Sequence, residues 1–349
     1  MSKEAEENNV EKKVQDAYQY ASFFSPVHNS LNKEFLSQKL LEKPSKDIHE
    51  LINGYRLMGN QAKKIYQAYD ILKSMIREKN AISLSVASNI LMSNRIYINF
   101  LIKNKLVNCL VTTCGAFEED IMHDIYKSHF FTDEDFWHNG SIEDDIKLKK
   151  LGINRSGDIL IPNQYYFDLW SNVYENIKIK NMDSSYSFTD LYKEILNTLK
   201  LTNESVFKNL LDNNIPFFIP APTDGAVGDF VLFQKLYVNR EYHPSLSKDY
   251  YEMADFYMNN QDNLSVIVLG GGTAKHHNLL HSIYAKGASK AIYINTSLDY
   301  DNSDSGGPPN EAITWGKLKT EADFVKVTAE VSTCFPLIIE AIRYEFDIL

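Results

Sequence analysis

Along most of the chain, short apolar runs alternate with longer stretches whose apolar positions follow a helical spacing. Between Gly54 and Lys79, the residues Leu57, Met58, Ala62, Ile65, Tyr66, Tyr69, Leu72 and Met75 share one face and predict an amphipathic helix. The apolar runs are Ala81–Val86, Val107–Val111, Ile215–Ile219, Val266–Leu269, Ala291–Ile294 and Val325–Val327. Several are too uniformly apolar for antiparallel strands with one wet face. They predict buried parallel strands covered by helices on both faces: a doubly wound, mostly parallel α/β sheet, preceded by an N-terminal helical extension. Sheets of this kind hold ligands beyond the carboxyl ends of their strands, so the residues after each run are the ones to inspect.

Two segments depart from the rhythm. Residues 1–45 are charged and polar and read as an extension ahead of a single domain, 46–349. The stretch from about 130 to 200, rich in acids, aromatics and Asn and containing "GINRSGDILIPNQYY", reads as an irregular insertion within that domain. No repeat is visible. Of the 349 residues 44% are hydrophobic and 12% aromatic, enough for a large core and too many for a disordered chain. The net charge of −10 argues against general nucleic-acid binding and suits a cationic ligand or a basic partner. Cys109, Cys114 and Cys334 follow no disulfide or metal spacing and read as free thiols of a reducing compartment. The first residues carry no apolar leader, and no apolar run is long enough to cross a bilayer, so a cytoplasmic protein without a membrane partner is expected.

After Val107–Val111 come Thr112-Thr113-Cys114-Gly115-Ala116-Phe117 and three carboxylates, Glu118, Glu119 and Asp120. Small residues at a helix start let a ligand approach the backbone. The acids are either ordinary partners of the helix dipole or a cation site. After Ile215–Ile219 come Asp224 and Asp229 among small residues. They either cap a turn or hold a ribose hydroxyl and an amine. "GGGTAKHH" at 270–277 has the position of a dinucleotide turn, but Lys275 stands where a third Gly would complete the motif. His277 and His281 are four residues apart with no third ligand nearby, so no metal is expected. Lys317 follows Trp315 without the glycines of a phosphate loop. A lysine held against an indole is either a snorkelling surface cation or a desolvated amine able to act as a nucleophile.

Together "GINRSGDILIPN", "PAPTDGAVGD", "LGGGTAKHH", "YINTSLDYDNSDSG" and "EAITWGK" resemble the deoxyhypusine synthase family, in order and with near-family spacing from about residue 50 onward. The resemblance implies a Rossmann-like fold and an oligomer, either a homotetramer or a heterotetramer with a paralogous subunit, with NAD sites between subunits. It implies NAD-dependent transfer of the aminobutyl group of spermidine to one lysine of the precursor of eukaryotic translation initiation factor 5A. By the same resemblance Lys317 is the imine-forming lysine, and His276 is the histidine near the reacting amine. Ser88, Asn89, Thr113, Gly115, Asp224 and Thr296 contact the cofactor. Glu118, Glu119, Asp229, Gly271, His276 and Trp315 line the polyamine pocket. Ser303, Asp304, Ser305 and Glu311 belong to a loop that closes over it.

The chain also departs from the family pattern. Cys114-Gly115-Ala116 replaces Ala-Gly-Gly, the turn at 88–95 lacks a Gly, and Leu280, Pro308, Asn310 and Glu330-Val331 replace other usual residues. Bulk at a pyrophosphate turn hinders a dinucleotide. Two alternatives therefore accompany the enzyme reading: an impaired paralogue that regulates an active subunit, and a homospermidine synthase using a small amine acceptor.

Overall fold

The computed structural model describes residues 45–126, 141–157, 159–177 and 186–348. Apart from Ser45 the expected polar extension lies outside them, as does part of the expected insertion. The strands are β1 (Ala81–Val86), β2 (Cys109–Val111), β3 (Ile153–Ser156), β4 (Ile159–Pro162), β5 (Phe217–Phe218), β6 (Leu264–Leu269), β7 (Ala288–Asn295) and β8 (Leu318–Thr328). All but the antiparallel hairpin β3–β4 join one sheet in the order β5-β2-β1-β6-β7-β8, and every neighbouring pair is parallel. The chain thus starts in the middle of the sheet, winds outward through β2 and β5, and returns to build β6, β7 and β8 on the other side. The reversal falls between β1 and β6, and a doubly wound sheet opens a ligand crevice at that point.

In β2, β5, β6 and β7 the apolar residues serve both faces of the sheet, which is why those runs show little alternation; β1 and the Val325–Val327 run give their apolar residues to one face, with Ser83, Ser85 and Lys326 on the other. In β6, Ile267 and Leu269 pack with Tyr69 and Leu72 of the helix Asn60–Arg77 and with Phe335 and Ile338 of the helix Val331–Phe346. Val266 and Val268 face Tyr257 of the helix Leu246–Met258 and Leu279 of the helix Gly272–His281. The serines of β1 are satisfied inside: Ser83 Oγ lies 2.8 Å from the Tyr257 hydroxyl, which in turn donates to Asn278.

The helix expected over 54–79 is divided. One helix ends at Tyr55, a turn carries Leu57 and Met58, and a second helix runs from Asn60 to Arg77. Gly59, at φ 76°, turns the chain, and its carbonyl accepts the Lys63 N–H that opens the new helix. The apolar spacing continues through the break, so periodicity alone does not reveal it. The carboxylate of Glu345 binds the last helix to both pieces, accepting from Tyr69 and Arg77 and lying 3.3 Å from His49. Among the described residues no helix is long and apolar enough to cross a membrane.

Candidate active site

At the carboxyl edge, β1 runs through Ala87 straight into the helix Ser88–Ser93 with no intervening glycine, and β2 runs through Thr112 and Thr113 into the helix Cys114–Tyr126. Thr112 donates to the Val86 carbonyl at 2.6 Å and fastens the two turns together. Gly115 lets them meet, since a Cβ there would stand 3.1 Å from Ser88 Oγ. Ser88 donates to Glu119 at 2.8 Å, so a hydroxyl expected at the cofactor and a carboxylate expected at the polyamine are partners in this structure. Asn89 reaches the hairpin, donating to Ser156 Oγ at 2.9 Å. The Thr113 hydroxyl is buried without a hydrogen-bond partner among the described residues.

The three consecutive carboxylates do three different things. Asp120 is fully buried, paired with Arg95 at 2.9 Å, and accepts from Ser205 Oγ and the Phe207 N–H, so it braces the helix Val206–Asp212. Glu118 accepts from the Val227 N–H at 2.8 Å and from the Cys114 thiol at 3.3 Å. It thereby caps the helix Ala226–Tyr237, whose own N-cap, Gly225, offers no side chain. Gly225 is needed there, because a Cβ would fall 2.8 Å from Cys114 Sγ and 2.9 Å from Glu118. Burial pushes Glu118 up to about 7 against the opposing pull of Val227 and Cys114. Burial also raises Glu119, opposed by Ser88.

Past the Glu118 cap, Asp224 stands exposed on the turn, and Asp229 stands exposed in the first turn of the helix. Asp229 lines a cavity of about 700 Å³ with Tyr166, Trp170, Phe230, Phe233 and Tyr237. Tyr166 connects this cavity to the buried acids: its hydroxyl is pushed up first by burial and then by the charges of Glu118 and Glu119. Sequence reasoning had no reason to choose Tyr166, because it lies within the expected insertion and reaches the site only through packing.

Across the crevice, Gly270, Gly271 and Gly272 begin the helix Gly272–His281. Their space is occupied by protein: a Cβ on Gly270 would meet Ile90, and one on Gly271 would collide with Ser305. Ser305 Oγ accepts the Gly272 N–H at 2.8 Å. His276 Nδ1 lies 3.2 Å from Asp304 Oδ1, both half exposed. Ser303 is turned inward to its own loop, bonding Asp301 and the Gly306 N–H. Thr296 is exposed just beyond β7. Glu311 is exposed in the short helix Pro309–Thr314, and a Cβ on Gly307 would lie 3.5 Å from its carboxylate. Glu330, one of the departures, is committed to capping the last helix through the Thr333 N–H at 3.0 Å. Neighbouring His277 is pushed down to about 4 by burial, and among the described residues no cluster of three or more His, Cys, Asp or Glu could hold a metal.

Lys317 enters this region from a different part of the chain, with its charge felt at Lys275. It precedes β8, and its carbonyl accepts the N–H of Ala288, the first residue of β7. With Trp315 and the end of the short helix that carries Glu311, it therefore starts from the amino end of β8, whereas Thr113, Glu118, Asp224, Asp229, Gly271 and His276 follow strands at the carboxyl edge. Its Nζ sits 5.8 Å from the centre of the Trp315 ring, and the indole is 65% exposed. Asp229 follows β5 and Lys317 precedes β8, the two outer strands of the sheet. Five strand spacings separate those strands, roughly 24 Å.

The turns around β1, β2 and β5 fit a dinucleotide. They offer a partnerless buried hydroxyl at Thr113, an amide at Asn89, a close-approach glycine at Gly115 and an exposed carboxylate, Asp224, suited to ribose hydroxyls. The Gly271 position does not offer the same room, because Ser305 fills it.

The raised Glu118 has a measurable consequence. Between the ordinary carboxyl value of 4.5 and about 7, the folded chain keeps a proton that the unfolded chain has released. Stability from this residue is therefore lost as pH rises through that window. Glu118→Gln, which retains an acceptor for Val227, is expected to flatten the slope. Its stability relative to the parent should rise by on the order of 3 kcal/mol between pH 4.5 and pH 8 in chemical unfolding. A parallel pH dependence in both proteins would show that Glu118 is not the group responsible.

A family model described as deoxyhypusine synthase matches residues 50–342. A deoxyhypusine synthase of Neurospora crassa is 30% identical over 356 residues, spanning 95% of this chain and 97% of its own. A Picrophilus torridus protein with the same name, provisionally given, is 32% identical over 316 residues, spanning 86% of this chain and 97% of its own. A crystal structure from Entamoeba histolytica that carries the name provisionally superposes with a TM-score of 0.57 at 23% identity, over 85% of this chain and 93% of that one, and it shows the shared fold.

Proposed function

The chain belongs to the deoxyhypusine synthase family of alkyl-transferring enzymes, and we propose on that premise that it moves the aminobutyl group of spermidine to one lysine of the precursor of eukaryotic translation initiation factor 5A. The observation that supports this most is Lys317, whose amine rests over an exposed indole beyond a chain turn. An apolar surface able to hold the methylenes of a polyamine is thus presented beside a primary amine that can take up the four-carbon fragment.

The cofactor would be held by Ser88, Asn89, Thr113, Gly115 and Asp224, with Thr296 further along the same edge. Held there, NAD would supply the chemistry of taking a hydride from the carbon beside the secondary amine of spermidine and giving it back at the end. The chain's own residues do the rest. Asp229 and Glu119 pair with the ammonium ends of the polyamine, which must be desolvated to enter. The aromatic wall around Asp229 contacts the methylenes and excludes water. Glu118 acts from behind, holding the helix that carries Asp229 in place. Lys317 attacks the oxidised carbon, and the C–N bond to the diaminopropane part breaks as that amine leaves. The resulting enzyme imine passes to the acceptor lysine by exchange of one amine for another, which frees Lys317. His276, 3.2 Å from Asp304, accepts and returns the proton of the reacting amine in this reading.

Asp229 follows β5 and Lys317 precedes β8, strands roughly 24 Å apart across the sheet, a span longer than a short triamine. We take the complete site to combine the Asp229 side of one copy with the Lys317 side of another, in a cytoplasmic oligomer. An altered cofactor turn, glycine-free after β1 and covered by Ile90 at Gly270, also supports a second reading, a regulatory paralogue. The deciding assay incubates the purified chain with spermidine labelled in the butyl portion and NAD, with either the precursor protein or unlabelled putrescine as acceptor. Label on the precursor is expected. Activity only after a paralogous subunit is added would favour the regulatory chain, labelled homospermidine with no label on the precursor would favour a homospermidine synthase, and label on neither acceptor under any condition would refute aminobutyl transfer.

A further inference from the structure

Lys275 is the residue that spoils the glycine motif after β6, and the reading of the site above leaves it without a role. Its side chain is almost fully buried, at 2% exposure, on the first turn of the helix Gly272–His281. Its ammonium meets the main chain of the loop that follows β7, donating to the carbonyls of Asp304, Ser305 (3.2 Å) and Gly307 (3.1 Å), and it lies 5.0 Å from the Tyr293 ring centre. Three N–H bonds meet three carbonyls, so the cation is satisfied by backbone alone. The remaining carbonyl of that run, Gly306, is taken by Lys326 at 2.6 Å, a second buried lysine that also pairs with Asp299. Asn295 adds bonds to the Ser305 and Gly270 carbonyls, at 3.2 and 3.3 Å. Four consecutive loop carbonyls are thereby drawn inward. With the main chain held that way, Asp304 projects toward His276 and Ser305 sits on the Gly272 N–H.

We propose that Lys275 is a positioning residue, whose ammonium seats the main chain of residues 304–307 on the glycine turn and so aims Asp304 at His276 and Ser305 at Gly272. The inference rests on the transfer reading above only for what the aimed groups act upon. The seat itself is a matter of geometry. Placing a cation there is costly: burial, with Lys326 and Lys317 nearby, pushes it down to about 8 against the pull of Asp304 and Glu311. A neutral amine would keep only two donors for the three carbonyls. A core position with no task beyond packing would be filled at less cost by Leu or Met.

The test uses Lys275→Met and Lys275→Gln in the full chain, with two readouts. Hydrogen exchange is expected to speed up over residues 298–308 and 270–273 in Lys275→Met, with β6 and β7 unchanged. Lys275→Gln, which keeps one amide donor group, should fall between it and the parent. In the transfer assay, kcat/KM for spermidine should drop about 100-fold in Lys275→Met, the scale expected when reacting groups are misaligned by an ångström, while NAD affinity holds. Exchange over 298–308 that stays slow in both variants overturns the proposal, as does a rise spread evenly through β6 and β7. Faster loop exchange with undiminished transfer overturns the aiming role. If the parent chain transfers no aminobutyl group, the function reading fails, and the exchange result still decides whether Lys275 seats the loop. If Lys275→Met does not fold, Lys275→Gln decides by the same criteria.

Discussion

Lys317→Arg is expected to abolish aminobutyl transfer, by about 1000-fold or more, while the protein folds and binds NAD as before. The structural links at this position are main-chain links. The Lys317 N–H donates to Ala312 at 2.9 Å, its carbonyl accepts from Ala288 at 3.0 Å, and Gly316 supplies the left-handed turn at φ 68°. The side chain is half buried, and its recorded contact is the face of Trp315, which a guanidinium stacks on as readily as an ammonium does. Arg therefore keeps the charge and the packing. What it loses is an amine that can deprotonate and attack carbon, because a guanidinium stays protonated at any working pH. Borohydride reduction in the presence of spermidine and NAD should leave a stable aminobutyl adduct on Lys317 of the parent and none on the variant. An adduct on Lys275 or Lys326, the neighbouring lysines, would move the nucleophile and refute the assignment.

Asp229→Ala is expected to be nearly as damaging for a different reason, and mixing it with Lys317→Arg should restore activity that neither variant has alone. Removing one partner of a desolvated charge pair costs about 2–5 kcal/mol, which would appear as loss of spermidine binding with NAD binding largely retained. The recovery follows from topology. Because Asp229 follows one edge strand of the sheet and Lys317 precedes the other, the proposed site takes one residue from each copy. In a mixed pair, one of the two sites carries both substitutions and the other carries neither. Random association into two-fold pairs should then recover about one quarter of the parent activity. Co-expression followed by a specific-activity measurement on the purified mixture reads this directly. No recovery, in a sample shown by mass to contain mixed oligomers, would mean that both residues serve a site within one chain.

These two predictions differ in how much of each was readable from the sequence. The six apolar runs marked the six strands of the parallel sheet because burial on one or both faces concentrates apolar residues in a strand whatever its neighbours are. The turns after them stood out because small residues and glycines are needed wherever the backbone must be approached closely. Five ordered motifs pointed to the family, which the family-model match over residues 50–342 confirms. Strand order was not available, because the same runs permit many parallel sheets. Only the folded chain places β5 and β8 at opposite edges and so separates Asp229 from Lys317.

Side-chain partners were equally hidden. Glu118, Glu119 and Asp120 are adjacent letters, yet the helix turns them toward a remote helix start, a serine on the next turn, and a buried arginine. Lys275 read as a defect in a glycine motif until the loop that follows β7 came to rest on it. The division has one physical source. Periodicity, turn chemistry and motif order are set by interactions between near neighbours along the chain. Which carboxylate is a cap, which lysine is a clamp and which two residues can meet on one substrate depend on contacts between residues far apart in sequence, and those exist only once the sheet is assembled.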